Sequence, residues 1–493
     1  MLKFFKKLVP YALIVTLLFS VIGCVSQEIA PTADTKLIIL HTNDTHARVK
    51  EGKYDGMGFA KISTLVNEFK AENPNVLVLD AGDTFHGTTI ASLVQGESIV
   101  QILNTIGYDA MVAGNHDFNY GQERLVKLAG MTDFPVLAAN VVKKDGSYLL
   151  KPYVIIDVNG LLVGIFGLAT PETLFKSHPK NTEGLTFKDP VAVAKEMVAE
   201  LESKIHVIIA LVHLGVDEET EVKSTDIAAA VDGIDLIVDG HSHTELPEGL
   251  LINNTMIVQA GVHDKNLGVV EILYETGDVT NVKARLITKD DAAEVAENSE
   301  IVALIEELEE KNKKITDVVI GNTDVELDGV KEHVRTGPTN LGTAICEAMI
   351  FVTGADVALQ NGGGIRSSID VGPITHGEII TVLPFGNTVV LLEVKGSVII
   401  AAIENGIKAY PEVAGSYSHV AGMTFTFDES KEPGNRVTEI LIGGKKLNPD
   451  KLYKLATNDF LAAGGDKYVM LKGAKVLGEF GTLDEVLIIY LNK

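Results

Sequence analysis

Tryptophan is absent from the 493 residues, and Phe, Tyr and Trp together make up only 6% of them, so any flat ligand must be held by Phe or Tyr. Cysteine is nearly absent as well: Cys24 and Cys346 are the two present. If the Cys24 sulfur is otherwise engaged, Cys346 has no partner and no internal disulfide can form, although an oxidising compartment would permit one. Cys346 sits in TAICEAMI, a helix-like apolar pattern, and reads as a buried core residue rather than a reactive thiol. Positive charge is also scarce: 42 Lys and Arg against 67 Asp and Glu give a formal net charge of −25. Such a field repels nucleic acid polymers and anionic membrane surfaces. It also repels small phosphorylated molecules at long range, so a phosphate site needs local metal or Arg charge. There is no long polar tract of the kind that stays disordered, and no internal repeat.

The N-terminus has a different composition. Lys3, Lys6 and Lys7 form a basic stretch, and Tyr11–Ile22 is apolar. The run ends in Val21-Ile22-Gly23-Cys24, which resembles a bacterial lipoprotein cleavage box. The resemblance implies a signal peptide over 1–23, lipidation of the Cys24 sulfur, and a tether over 24–35. An uncleaved anchor helix is the alternative, although the apolar run is short against the roughly 20 residues a membrane span needs. Either way the body of the protein is expected outside the cytoplasm, at the cell surface or the periplasmic face of a membrane.

The chain is long enough for two or three domains with sizeable cores. From 36 to 289, β-type apolar runs alternate with helical segments such as Phe59–Lys70 and Pro190–Ser203, which argues for α/β architecture. Residues 290–314 are charged, with Ile301, Leu304, Ile305 and Leu308 at helical spacing. They read as a solvated connecting helix and hinge with one apolar stripe, or else as the first helix of the next domain. From 315 to 493 strands and helices resume, with turn signals at Asn361–Gly364 and Ala463–Asp466.

Five segments in the first domain end an apolar run with metal-type residues: LHTNDTH (40–46), LDAGD (79–83), GNHD (114–117), LVHLG (211–215) and GHSH (240–243). They follow the strand-like stretches KLIIL, NVLVL, DAMVA, HVIIA and DLIVD. Strand-end ligands gather at the carboxyl edge of an α/β sheet. Hard carboxylate oxygens and imidazole nitrogens brought together there suit a pair of divalent cations. Asp44 and His46 are two apart, as are His241 and His243. Asp83 could bridge two cations about 3.5–4 Å apart. Asn115 offers a neutral carbonyl oxygen, and His213 closes its strand. The second domain has no such cluster, and the lone His333, His376 and His419 read as surface or core residues.

In this order, the five motifs resemble the calcineurin-like metallophosphoesterases, and more narrowly the 5′-nucleotidase family. The resemblance covers 36–280 and continues into the second domain. It implies a four-layer α/β/β/α catalytic domain with a second, α/β nucleotide-binding domain. Asp44, His46, Asp83 and His243 would hold one divalent ion (Zn, Mn, Co or Fe), and Asp83, Asn115, His213 and His241 a second. Metal-bound water would attack phosphorus, and His116 would contact the phosphate as a catalytic residue. The position three beyond that His is commonly acidic in the family, but here it is Asn119, within GNHDFNYG. Asn119 is expected to accept a hydrogen bond from the imidazole without stabilising its charge, leaving His116 less often protonated near neutral pH. Asp117 is expected to point elsewhere. The Asn also resembles a sibling group, the 2′,3′-cyclic-nucleotide phosphodiesterases with 3′-nucleotidase activity.

In the second domain VRTGPTN (334–340), NGGGIR (361–366), LPFGN (383–387) and NDFLAAGGD (458–466) resemble the nucleotide-binding half of the same family. The resemblance implies that Phe385 and Phe460 sandwich the base, Asp466 bonds the ribose hydroxyls and Asn361 contacts the base. Arg335 and Arg366 would sit on the phosphate side. The expected activity is 5′-nucleotidase hydrolysis of nucleoside monophosphates, in nucleotide catabolism. The alternatives are cyclic phosphodiesterase, nucleotide-sugar or dinucleotide pyrophosphatase, a sulfur-oxidation relative, and a silent nucleotide-binding surface lipoprotein. Oligomeric state is not legible.

Overall fold

The strand Thr35–Thr42 shows how the first domain is layered. Leu37 and Ile39 face one apolar core, while Ile38 and Leu40 face another. A strand buried on both faces needs apolar residues at consecutive positions, and KLIIL supplies them. The computed structural model describes residues 34–493 apart from 53, 54, 178 and 219; Cys24, the expected leader and most of the tether lie outside the described residues.

Thr35–Thr42 pairs in parallel with Val76–Asp80, which pairs with Ala110–Val112 and then Val136–Leu137. Antiparallel strands Asn266–Glu275 and Asp278–Thr288 complete this six-stranded sheet on its other side. A second six-stranded sheet runs Leu250–Ile252, Thr255–Val258, Leu236–Val238, Val207–His213, Leu161–Ala169, Tyr153–Val158. Its four central strands are mutually parallel. The core between the sheets is built from Leu37, Ile39, Leu77 and Leu79 on one side and Val163, Ile165, Val207 and Leu236 on the other. Helices Gly58–Glu72 and Glu97–Ile106 cover the outer face of the first sheet. Pro190–Leu201 covers the second, with Asp189 capping it by accepting the Ala192 N–H. The result is the four-layer α/β/β/α arrangement. All five motif strands form where their apolar runs lie.

The charged segment 290–314 behaves differently from a free connector. Its helix, Ser299–Thr316, buries Ile301, Ile305 and Leu308 in the same core as the helices of the first sheet. Asn298 caps its start by accepting the Glu300 N–H. The apolar stripe packs this helix on the first domain, and its C-terminal end also meets helix His376–Val382 of the second.

The second domain has a five-stranded mixed sheet in the order Ser418–Ala421, Val357–Asn361, Leu452–Asn458, Thr388–Lys395, Lys475–Thr482. Val389 and Leu391 face helices Asn340–Thr353 and Leu483–Leu491, while Val390, Leu392 and Val394 face Gly396–Gly406. Cys346 is buried in the first of these cores, and burial pushes its thiol pKa up. Among the described residues no helix is long and apolar enough to cross a membrane.

Candidate functional site

The carboxyl ends of the parallel strands of the two sheets lie side by side, and all five motifs empty into one place. Two groups of three ligand-type residues form there: Asp44, His46 and His243, and Asp83, His213 and His241. Within each group the ligand atoms lie within 4.8 Å of one another. The loops interlock through the backbone, Asp44 N–H bonding Gly82 O at 2.9 Å and His46 N–H bonding Asp83 O at 3.0 Å. Asp44, His46, Asp83, His241 and His243 all hold φ between 46° and 76°. Left-handed backbone in non-glycine residues is costly, and it persists where surrounding contacts over-determine it, as at functional sites.

Close approach explains two of the glycines. A Cβ on Gly114 would lie 2.2 Å from Asp83 Oδ1, and one on Gly240 would lie 2.8 Å from His213 Nδ1. His213 Nδ1 bonds Ala81 O at 2.7 Å, which aims Nε2 to within 3.1 Å of Asp83 Oδ2. Asp83 Oδ1 accepts the His116 N–H at 2.7 Å, and Asp44 accepts the His241 N–H.

The donor set fits divalent cations. Asn115 Oδ1 and His213 Nε2 are buried without a hydrogen-bond partner, the latter close to Asp83 but misaligned for a bond. His46 Nε2 and His243 Nε2 face each other at 3.4 Å. Buried polar atoms left bare are expensive, and a divalent cation would satisfy them. Burial and the neighbouring His116 hold the His46 pKa well below its ordinary value, so its ring is neutral and ready to ligate. Burial opposes charge on His213 too, but the Asp83 carboxylate outweighs it and holds that pKa at about 10. A divalent cation held by Asp83 and His213 would replace that proton.

His116 stands beside the metal-type residues, its ring centroid 5.1 Å from that of His46. Two expectations about it are corrected. Asn119 turns Nδ2, not Oδ1, toward His116 Nδ1, at 3.0 Å. The reason is a relay: Asn181 Nδ2 donates to Ser177 Oγ, which donates to Asn119 Oδ1, each at 3.1 Å. Nor is His116 left neutral. Burial lowers its pKa, but Asp83 and a hydrogen bond to Glu479 outweigh burial and hold it at about 9. Asn119 as a donor suits the neutral ring; the two carboxylates pull the other way and are the larger influence. Asp117 does point elsewhere, accepting four backbone N–H groups under the Asp83 loop.

The second domain gathers the remaining expected residues. Asn361 Nδ2 donates to Asp466 Oδ2 at 2.7 Å. Asn387 Nδ2 donates to Asp459 Oδ1 at 2.7 Å, tying the Phe385 loop to the Phe460 loop. Phe385 and Phe460 are 39% and 45% exposed, too open for core packing to explain them. The Arg366 guanidinium lies over the Phe385 ring at 5.5 Å. Arg335 and Arg366 line a pocket of about 260 Å³ with Ile365 and Lys331.

Several site residues escape sequence reasoning. Glu172 Oε2 lies 2.9 Å from His241 Nε2 and so orients a metal-type residue. It follows the strand Leu161–Ala169, so a sixth strand end was the available signal. Lys331 precedes Arg335 by four residues, one helical turn. Lys176 and Glu479 carry no signal that the sequence separates from surface charge.

Comparison with known proteins agrees with this geometry. The calcineurin-like phosphoesterase family pattern matches residues 37–245. The pattern described as 5′-nucleotidase, C-terminal domain, matches 319–473. The fold and the strand-end ligands thus define a metallophosphoesterase, a phosphoric ester hydrolase. The 5′-nucleotidase of Vibrio vulnificus is 31% identical, across 99% of this chain and 96% of that one. The chain belongs to the 5′-nucleotidase family. The trifunctional nucleotide phosphoesterase protein YfkN of Bacillus subtilis is 34% identical over 91% of this chain, which spans about a third (33%) of that protein's length. The crystal structure of a 5′-nucleotidase precursor from Thermus thermophilus is 32% identical, covering 93% of this chain and 96% of that one, with a TM-score of 0.59.

Proposed function

We propose that the protein hydrolyses nucleoside 5′-monophosphates to nucleoside and phosphate, using two divalent cations. One observation carries this reading: two complementary ligand groups meet where the strand ends of the two sheets adjoin, and Asn115 Oδ1 is buried there without a hydrogen-bond partner. Asp44, His46, Asp83 and His243 would hold one ion, and Asp83, Asn115, His213 and His241 the other. When bound, the ions supply Lewis acidity toward the phosphoryl oxygens and a water made acidic enough to attack phosphorus at neutral pH. The protein's own groups do the rest. His116, whose Nε2 meets Glu479 Oε2 in this arrangement, would turn that N–H to charge developing on the phosphoryl group. Phe385 and Phe460 stack the base, Asn361 and Asp466 bond base and ribose, and Arg335 and Arg366 approach the phosphate. Metals and clamp lie on different domains. Helix Ser299–Thr316 touches both domains, and the joint that lets metals and clamp meet would lie in or beside it. Lipidation at Cys24 would keep the enzyme on a membrane outside the cytoplasm.

Asn119 supports a second reading, a 2′,3′-cyclic phosphodiesterase with 3′-nucleotidase activity. Turnover of 5′-AMP, 2′,3′-cyclic AMP and a nucleotide-sugar by metal-loaded protein separates the possibilities. The first reading expects 5′-AMP to lead; metal-loaded protein inert toward every 5′-nucleotide would refute it.

A further inference from the structure

Glu479 projects from the strand Lys475–Thr482 of the second domain into the site of the first. Its Oε2 lies 3.0 Å from His116 Nε2, and its Oε1 lies 3.7 Å from Lys176 Nζ. One carboxylate thus spans two cationic groups with its two oxygens. Lys176 ends the short helix Thr173–Lys176, and its other partner is Glu172, at 3.2 Å. Glu172 is already committed, since it also accepts the Glu221 N–H at 2.7 Å and meets His241. The positive charge of Lys176 is therefore left to face Glu479. Burial opposes all these charges, yet Lys176 and His116 hold the Glu479 pKa at about 2. Glu479 and Glu172 in turn raise that of Lys176. Among the described residues, every hydrogen bond and ion pair of the Glu479 side chain is to the first domain.

We infer that Lys176 and His116 form an anion cradle for the phosphoryl group of the substrate, and that Glu479 occupies the cradle in this domain arrangement. The carboxylate edge stands in for two phosphoryl oxygens, which charge-assisted donors bind in the same way. His116 sits next to Asn115, so an anion in the cradle lies beside the metal-type residues. The inference rests on the nucleotidase reading only for the identity of the substrate. Lys176 is then a substrate-binding residue, and Glu479 a built-in competitor that sets KM. Substrate would enter once the carboxylate leaves the cradle.

The test uses the full-length, metal-loaded protein. Inorganic phosphate binding is measured by calorimetry and 5′-AMP hydrolysis by steady-state kinetics, for wild type, Glu479→Gln, Lys176→Gln and the double variant. Glu479→Gln should tighten phosphate binding about tenfold and lower KM similarly, the size of one charge-assisted contact. Lys176→Gln should weaken phosphate binding about tenfold in the Glu479→Gln background, where the competitor is already gone. Phosphate affinity unmoved by Glu479→Gln, or by Lys176→Gln in that background, overturns the inference. So does a fall in kcat at constant KM for Glu479→Gln. Glu479→Ala is the second variant if the amide destabilises the interface. The expected phosphate shifts without hydrolysis of any nucleotide would refute the nucleotidase reading and leave the cradle standing. Hydrolysis of 5′-AMP with unmoved phosphate affinities would do the reverse.

Discussion

Replacing Asp117 by Asn should damage the metal centre without touching a ligand. The Asp117 carboxylate accepts four backbone N–H bonds. Oδ2 takes those of Asp83 (2.9 Å) and Gly114 (2.8 Å), and Oδ1 those of Thr84 (3.1 Å) and Phe85 (2.9 Å). Together they hold the turn in which Asp83 adopts φ 59°. An amide keeps one oxygen and turns an NH2 group toward the other two donors. Two buried N–H groups then lose their acceptor, at about 1–3 kcal/mol each, so the change should cost about 2–6 kcal/mol. The turn also aims the Asp83 side chain, so affinity for divalent metal should fall with stability. Urea unfolding of the chelated protein measures the first effect, and metal titration of the folded variant the second. A variant within 1 kcal/mol of wild type that binds metal normally would refute this account of Asp117.

Asn119→Asp places a carboxylate against His116 Nδ1 in place of a donor; it should alter kcat on 5′-AMP by about 5- to 30-fold, more than it alters KM, as a neutral bond becomes charge-assisted. Steady-state kinetics identical to wild type would show that Asn119 does not orient His116. Phe460→Ala should raise KM for 5′-AMP by about 5- to 150-fold, the value of one base–aromatic stack, and leave KM for ribose 5-phosphate unmoved; equal losses on both would mean that Phe460 stacks no base. Burial pushes the Asp235 pKa up to about 6, although it accepts the Ile208 N–H at 2.8 Å. The folded state thus keeps a proton that the unfolded chain loses near pH 4. This stability is present below pH 4 and is lost as pH rises to 6, by at most about 3 kcal/mol. Thermal midpoints of Asp235→Asn should gain on wild type across that window, and a constant difference from pH 4 to 7 would contradict the assignment.

The metal-type residues are legible in the sequence because strand ends are local: an apolar run followed by Asp or His fixes both the element and the edge where its side chain emerges. Asn361 and Asp466 fall in glycine-rich turns that the sequence marks, but only the resemblance to the family suggests a role for them. Local reading fails where function depends on contacts far apart in the chain. Glu479 meets His116 across 363 positions of sequence and across a domain boundary, and nothing in VLGEFGT marks it. The charge state of His116 is misjudged for the same reason. Asn119 is its visible neighbour, whereas Asp83 and Glu479 decide its proton. In the segment 290–314 the helical spacing of Ile301, Leu304, Ile305 and Leu308 is legible, but which neighbour that stripe packs on is not, because the partners lie far away in the chain. Asp117 shows the converse: adjacency to His116 suggests chemistry, and the backbone bonds show a structural carboxylate.

The most direct test of the central claim is metal stoichiometry against phosphate release. Protein stripped by chelator should be inactive on 5′-AMP. Stepwise addition of Mn2+ or Co2+ should restore activity, with the maximum at about two ions per chain, as a paired site requires. Asp83→Ala, which removes the carboxylate common to both proposed ion sites, should stay inactive at any metal concentration. Full activity in chelated protein, saturation at one ion, or phosphate release by Asp83→Ala would contradict the account.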